Sequence, residues 1–449
     1  MNEPHTDINI KDFILKSFKE AKPLSVEPCK TLYADEMVPS DKHNHCSKHP
    51  FARSQVFNVP IKKSELLVIS GAEGTNNKNI IKITLNTKEL GLEWEPGDTI
   101  GILPTNSDKD VEFLLNRLDA LASADYEILS NAGPLTSGCS VRQILRDRLS
   151  LRSILKKQFL SALGDYCGDN EEKMFLKCLS SKEATSIYNE LIINKRLTLL
   201  DILKICPSCK PPIEFLSKHL PSLLARPYSI ANSPLVNSNE ISIVFSLLNE
   251  KPGPGVTTSM LSKKSEENNP SVFMYLRESN TFRYTIEDYG KNQIFIAIGT
   301  GLAPFLGFLQ HKEEIKKQSL SKTEAPGQSW LFVGATSEEA VIGRDQLLKW
   351  QSLNVLNKFV EAHSRCQTSV FKYVQDALMK YSHEIFEFLM TSDATLYLCA
   401  DGGGEITKSI EGALADIIKN GMHLQEVNEA MQVLKEFKTN GKYKLDLWL

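Results

Sequence analysis

Residues 293–311 read Gln293-Ile-Phe-Ile-Ala-Ile-Gly-Thr-Gly-Leu-Ala-Pro-Phe-Leu-Gly-Phe-Leu-Gln-His311. Ile294 to Ile298 is an unbroken apolar run of strand length, the pattern of a strand covered on both faces. Gly299-Thr300-Gly301-Leu302-Ala303-Pro304 interrupts it, and a helix is predicted to follow to His311. The order strand, glycine turn, helix returns at Trp330–Val333, followed by Gly334 and a helix near Gln346–Trp350. It returns again at Thr395–Cys399, followed by Asp401-Gly402-Gly403-Gly404 and a helix to Lys419. Strands alternating with helices predict a doubly wound parallel sheet over 291–449, whose ligand belongs at the carboxyl ends of the strands.

Upstream the period changes. Short β-type runs occur at Ser64–Ser70, Ile80–Leu85 and Thr99–Leu103, the last after the turn signal Glu95-Pro96-Gly97-Asp98, and again at Tyr228–Ala231, Ile241–Leu248 and Val272–Tyr275. Between them, Val111–Leu121 and the stretch on to Leu223 carry apolar residues at helical spacing. A β region that breaks off and resumes predicts one β-domain, barrel or sandwich, over 51–290 with a helical insertion at about 125–220. Residues 1–50 show only a weak amphipathic stretch around Phe13, Ile14 and Phe18 and read as a flexible tail or hinge. The chain is thus expected to be a multidomain α/β plus β protein.

Charge excludes one class of partner. With 52 basic and 55 acidic residues in 449, the net charge of −3 gives no footprint for nucleic acid. The apolar stretch Ile294–Leu309 is broken by glycines and a proline, short of the roughly 18 apolar residues of a membrane span. Met1–Glu20 lacks the apolar core of a secretory signal, so a cytoplasmic address is expected. The nine cysteines form no disulfide scaffold. Cys206-Pro-Ser-Cys209 has redox or half-zinc-site spacing, and His43, His45, Cys46 and His49 are dense. Without a second cysteine pair at zinc-ribbon distance or a folded frame, both read as no metal site, and no redox use of the Cys206–Cys209 pair is expected.

Three constellations carry chemistry. Gly299-x-Gly301-x-x-Pro304 after a strand lets a pyrophosphate approach backbone N–H groups and a helix N-terminus; Pro304 in place of a third glycine sets it apart from the common dinucleotide fingerprint. Arg226-Pro227-Tyr228-Ser229 joins a guanidinium suited to a diphosphate, an aromatic face able to stack on a flat heterocycle, and a hydroxyl. On a strand, Arg226 and Tyr228 share one face and Ser229 takes the other. Gly253-Pro-Gly255-Val256-Thr257-Thr258 reads as a turn opening a helix that could take a second anion.

These motifs, with Ser364-Arg365, Lys372-Tyr373-Val374-Gln375, Tyr397-Leu-Cys399 and Asp446-Leu-Trp448, occur in the order and rough spacing of the ferredoxin–NADP reductase module of diflavin reductases, which the chain resembles from about residue 50 to 449. The insertion, through Ser137-Gly-Cys-Ser140, Lys156 to Tyr166, Pro207 to Pro212 and Phe215 to Pro221, most resembles the connecting region of the members that serve methionine synthase. The resemblance implies an FAD-binding β-barrel domain and an NADP(H)-binding α/β domain. Arg226 and Thr258 would hold the FAD diphosphate within the Pro227 and Gly255–Thr258 backbone, and Tyr228 would stack on the isoalloxazine with Ser229 near its N5. Gly299, Thr300, Gly301 and Pro304 would meet the NADPH pyrophosphate. Ser364, Arg365, Lys372, Tyr373 and the following Val374-Gln375 would form the 2′-phosphate site, and Asp401 would lie in the same cofactor cleft. Ser229, Cys399 and Asp446 would line the hydride path, and Trp448 would cover the flavin until the nicotinamide displaces it.

The resemblance further implies electrons passing through FMN to reactivate cobalamin-dependent methionine synthase. Residues 1–50 are too short for an FMN domain of about 150 residues, so the expected partners are methionine synthase or a separate FMN-domain protein. Two other readings stay open: a free-standing NADPH diaphorase for another FMN or haem carrier, and a non-catalytic methionine synthase-binding protein. The chain departs from the family at Ala400-Asp401-Gly402-Gly403-Gly404-Glu405, where relatives carry a cationic residue, at Ser409, where they carry an Asp, and at Gly334-Ala335-Thr336, where they have an Arg. Weaker NADPH binding is expected.

Overall fold

The computed structural model describes residues 37–39, 49, 51–68, 78–128, 139–248, 255–318, 325–391, 394–401 and 404–448. The expectations resting on His43, His45, Cys46, Ser137, Gly253, Pro254, Gly402 and Gly403 concern residues outside these, as does the side chain of Asp401. Among the described residues, no helix is long and apolar enough to cross a membrane. No group of three or more His, Cys, Asp or Glu side chains there is arranged to hold a metal ion. The described chain divides into two compact units, one of Leu103–Ala225 with residues 37–39, the other of residues 49–102 and Arg226 onward.

The first unit is helical, apart from β1 (Met37–Pro39), which pairs antiparallel with β5 (Tyr126–Ile128). Its five longer helices are α1 (Asp108–Arg117), α2 (Lys157–Leu163), α3 (Asn170–Ser180), α4 (Leu199–Ile205) and α5 (Ile213–His219). Helix α1 starts three residues before the predicted Val111. The Ser107 side chain accepts the Asp110 N–H, and Asp108 and Asp110 sit where the helix dipole favours negative charge. Leu114, Ile144, Phe175, Leu203 and Phe215 bury against one another to form a core of its own, in which Cys139, Cys178, Cys206 and Cys209 pack as small apolar side chains.

The second unit holds two sheets. In the antiparallel one the order is β6 (Arg226–Ser229), β4 (Thr99–Ile102), β8 (Ser271–Leu276), β2 (Phe57–Val68), β3 (Lys78–Asn86), β7 (Glu240–Leu248). Val59, Ile83, Ile100, Ile243 and Met274 fill its inner face. The two edges approach each other just beyond β6, where Ala231 donates its N–H to Ser242 O at 2.8 Å. The Asn232 amide spans the same gap, taking the Ser242 N–H and donating to Glu240 O, which gives the sheet its barrel character. The turn leading into β4 is where the sequence put it: Asp98 donates to Glu95 O at 3.0 Å. Gly97 has φ 92°, and a Cβ there would sit 2.1 Å from Phe282 O, so only glycine fits.

The other sheet is wholly parallel, in the order β11 (Lys358–His363), β10 (Ser329–Ala335), β9 (Gln293–Ile298), β12 (Thr395–Asp401), β13 (Tyr443–Trp448). Sequence reading found β9, β10 and β12 but not β11 and β13. Both mix charges into short runs, Lys-Phe-Val-Glu-Ala-His and Tyr-Lys-Leu-Asp-Leu-Trp, as edge strands do. Helix α7 (Ala303–Gln318) packs Phe305, Phe308 and Leu309 inward. These side chains and Tyr397 meet Phe282 and Tyr284, from the segment after β8, at ring-centroid spacings of 5.4–5.7 Å for the closest pairs. That shared aromatic core makes the barrel and the parallel sheet one packing unit. Strand order reverses between β9 and β12, so a crevice opens at their carboxyl ends.

Candidate functional site

At that reversal, β12 places Cys399 opposite Ala297 of β9 on one side and opposite Asp446 of β13 on the other. Cys399 is buried, and its thiol donates to Asp446 Oδ2 at 3.7 Å. The same oxygen accepts the Ser229 hydroxyl at 2.5 Å. Ser229 arrives from the barrel, where β6 is held in register by Thr99 of β4. Burial raises the Asp446 carboxyl above the ordinary carboxylate range, while the two hydrogen bonds and the charge of Arg277 pull the other way. Burial and the neighbouring carboxylate push the Cys399 thiol well up, so it stays protonated. A carboxyl group, a hydroxyl and a thiol thus converge at the mouth of the crevice, where they can orient a ligand and hold a proton. Arg277 escaped the sequence reading; its position just past β8 was the available signal.

The glycine turn between β9 and α7 forms one wall. Gly299 takes φ 55°, and nothing lies within 4 Å of the place a Cβ would occupy, leaving room for a phosphate beside half-buried Thr300. Gly301 is needed for a different reason. A Cβ there would stand 2.2 Å from Cys399 O and 3.0 Å from Cη2 of Trp448, so glycine alone lets this turn lie against β12 and the indole. Trp448, opposite Asp401 in the β12–β13 register, keeps 36% of its surface exposed. Pro304 is buried in the first turn of α7 and serves the helix start; its ring is not on the open side.

On the barrel side, Arg226 and Pro227 are exposed and Tyr228 is half-buried. The Tyr228 ring meets Phe245 edge-on at 6.3 Å, and burial raises its phenol pKa. Gly255 caps the helix α6 (Val256–Lys264), where Thr258 returns its hydroxyl to Gly255 O at 3.1 Å. Val256 and Thr258 are half-buried, whereas Thr257 is turned into the protein. Arg226, Tyr228 and Thr258 thus bring a guanidinium, an aromatic ring and a hydroxyl to this side of the barrel.

Ser364, Arg365, Lys372 and Tyr373 lie between β11 and the helix α8 (Val374–Lys380), again at the carboxyl edge of the sheet. Ser364 and Arg365 donate backbone N–H groups to Ala335 O and Thr336 O, both at 3.0 Å, clipping the loops after β10 and β11 together. The side chains of Arg365, Lys372 and Tyr373 are exposed, and Lys372 Nζ stands 5.4 Å above the Tyr373 ring. The Ser364 hydroxyl turns to Ala335 O at 3.3 Å. Val374 packs in the core of the sheet and Gln375 is half-buried, so this edge offers its cations from Arg365 and Lys372.

Comparison with known proteins matches residues 49–259 to the FAD binding domain family and residues 295–403 to the oxidoreductase NAD-binding domain family. Methionine synthase reductase of Rattus norvegicus is 29% identical over 460 residues, spanning 93% of this chain and 64% of the relative. The human protein of that name is 29% identical over 88% of this chain and 61% of its own length. NADPH–cytochrome P450 reductase of Dictyostelium discoideum is 31% identical over 80% of this chain and 54% of its own. The chain therefore spans less than two thirds of the curated relatives it matches. An antiparallel barrel followed by a parallel sheet, matched in turn by an FAD binding domain family and an oxidoreductase NAD-binding domain family, gives the chain the two-domain fold of the ferredoxin–NADP reductase-like module.

Proposed function

We propose that the chain takes hydride from NADPH onto FAD and passes electrons, through FMN, to methionine synthase. The observation that carries this reading is the joining of barrel and parallel sheet by the Ser229–Asp446 hydrogen bond beside Cys399, at the reversal of strand order. When bound, FAD supplies the two-electron acceptor for a nicotinamide hydride. The protein's own contributions are separate from that chemistry. Arg226 and Thr258 hold the diphosphate, and Tyr228 offers its ring to the flavin. The open turn at Gly299 admits the pyrophosphate, and Arg365 and Lys372 select a 2′-phosphate by charge. Asp446 fixes the Ser229 hydroxyl and keeps a proton within reach, and Trp448 closes the crevice against water.

The test is anaerobic stopped-flow mixing of the FAD-loaded chain with NADPH and, separately, NADH, following the oxidised-flavin absorbance at roughly 450 nm. Fast bleaching by NADPH and slow bleaching by NADH is the expected result; no bleaching by either overturns the reading. The acceptor has a rival. The 31% identity to a cytochrome P450 reductase favours a reductase for another FMN or haem carrier. Reduction rates with an isolated FMN domain coupled to methionine synthase, against one coupled to a haem protein, separate the two.

A further inference from the structure

The pair Cys206-Pro-Ser-Cys209 has no part in the site above, and in the helical unit it meets a third cysteine. Cys167 follows the turn that ends α2, and Cys209 follows α4. The two residues face each other as an isolated antiparallel bridge. The flanking hydrogen bonds run from Lys210 N–H to Tyr166 O at 3.0 Å and from Gly168 N–H to Ser208 O at 3.4 Å. Cys167 and Cys209 are therefore the non-hydrogen-bonded residues of the bridge, the position where Cα atoms come closest, about 4.5 Å apart. That lies within the span a disulfide needs, about 4.4–6.8 Å. We propose that Cys167 and Cys209 form a reversible disulfide that staples the segment between α2 and α3 to the loop after α4.

Three features favour it. The bridge sets the two side chains side by side, and the Cys209 thiol, donating to Leu163 O at 3.5 Å, is held within the unit's core. The backbones are bolted in place whatever the thiols do: the Ser208 hydroxyl donates to Glu172 Oε2 at 2.5 Å, and its N–H donates to the same oxygen at 2.9 Å. Asp169 N–H in turn donates to Ser208 Oγ at 2.9 Å, so closing the bond requires little backbone movement. Access is also asymmetric, since Cys167 is half-buried while Cys206 and Cys209 are fully buried.

The oxidant is a low-molecular-weight disulfide. Cys167, as thiolate, attacks one of its sulfurs and expels the first small thiolate, leaving a mixed disulfide. Cys209 then attacks Cys167 Sγ, giving up its proton and expelling the second small thiolate, which takes that proton. Two protein thiols and one small disulfide become one protein disulfide and two small thiols.

The test treats the full chain with oxidised and reduced glutathione at graded ratios, blocks remaining thiols by alkylation, and maps non-reduced peptides by mass spectrometry. The expected result is a cross-link between the Cys167 and Cys209 peptides, retained in Cys206→Ala and absent in Cys167→Ala. A rise in the thermal midpoint of about 5 °C should accompany it and reverse with reductant. A glutathione adduct without a cross-link, a bond mapped to Cys206–Cys209, or full alkylation at every ratio overturns the proposal. It rests on the helical unit alone and stands or falls independently of the flavin chemistry.

Discussion

Asp446 takes the Ser229 hydroxyl and the Cys399 thiol on one oxygen, so its replacement frees both. Asp446→Asn should slow flavin reduction by NADPH about 10- to 100-fold, read by stopped flow, because a small misplacement of a positioning group costs that much. The raised pKa also has a sign in stability. A carboxyl with a folded pKa above its unfolded value, about 3.9, contributes most below that value and loses the contribution as pH rises through the folded pKa. Denaturation of Asp446→Asn should therefore show a shallower fall in stability just above pH 4 than the parent chain. Trp448→Ala should raise use of NADH relative to NADPH by about tenfold, equivalent to ~1.4 kcal/mol, in steady-state kinetics. Gly301→Ala puts a methyl against Cys399 O and should cost about 1–3 kcal/mol in a denaturant titration while abolishing NADPH oxidation. The residue types at these five positions were readable from the sequence. That Ser229 and Asp446 touch was not, since 217 residues separate them.

Helix α7 shows how an element is tied down at its far end. Lys312, 1% exposed, donates Nζ to Gly327 O at 2.6 Å and to Ser329 Oγ at 2.8 Å, anchoring the helix to the start of β10. Burial, aided by Lys316, lowers its pKa to about 7. The unfolded lysine titrates near 10.4, so the contribution to stability is full above that value and is lost as pH falls to about 7. Chemical denaturation should find stability rising by a few kcal/mol between about pH 7 and 10. In Lys312→Met that rise should largely vanish. The helix itself was legible from its apolar spacing. Strands β11 and β13 were not, because a charged edge strand has no apolar run to announce it; pairing with β10 and β12 makes them strands.

The described residues pack as two units with separate cores. FAD should bind the unit that carries Arg226, Tyr228 and Thr258 and leave the helical unit's own transition unmoved. Calorimetry of stripped and FAD-loaded protein should show one transition rising, by the equivalent of about 2.7 kcal/mol when free FAD is a hundredfold above its dissociation constant. A uniform shift of both transitions would count against the division. The sequence by itself determined the two β/α regimes, the helical interruption and the glycine turns, because hydrophobic period and glycine placement are local properties. Only the tertiary structure decided the rest. It drew Leu103 and α1 into the helical unit and merged barrel and parallel sheet through Phe282, Phe308 and Tyr397. It closed Ser229 onto Asp446 and set Cys167 against Cys209. Each of these depends on which distant surfaces bury together, and burial of surface is a property of the folded chain, not of any window within it.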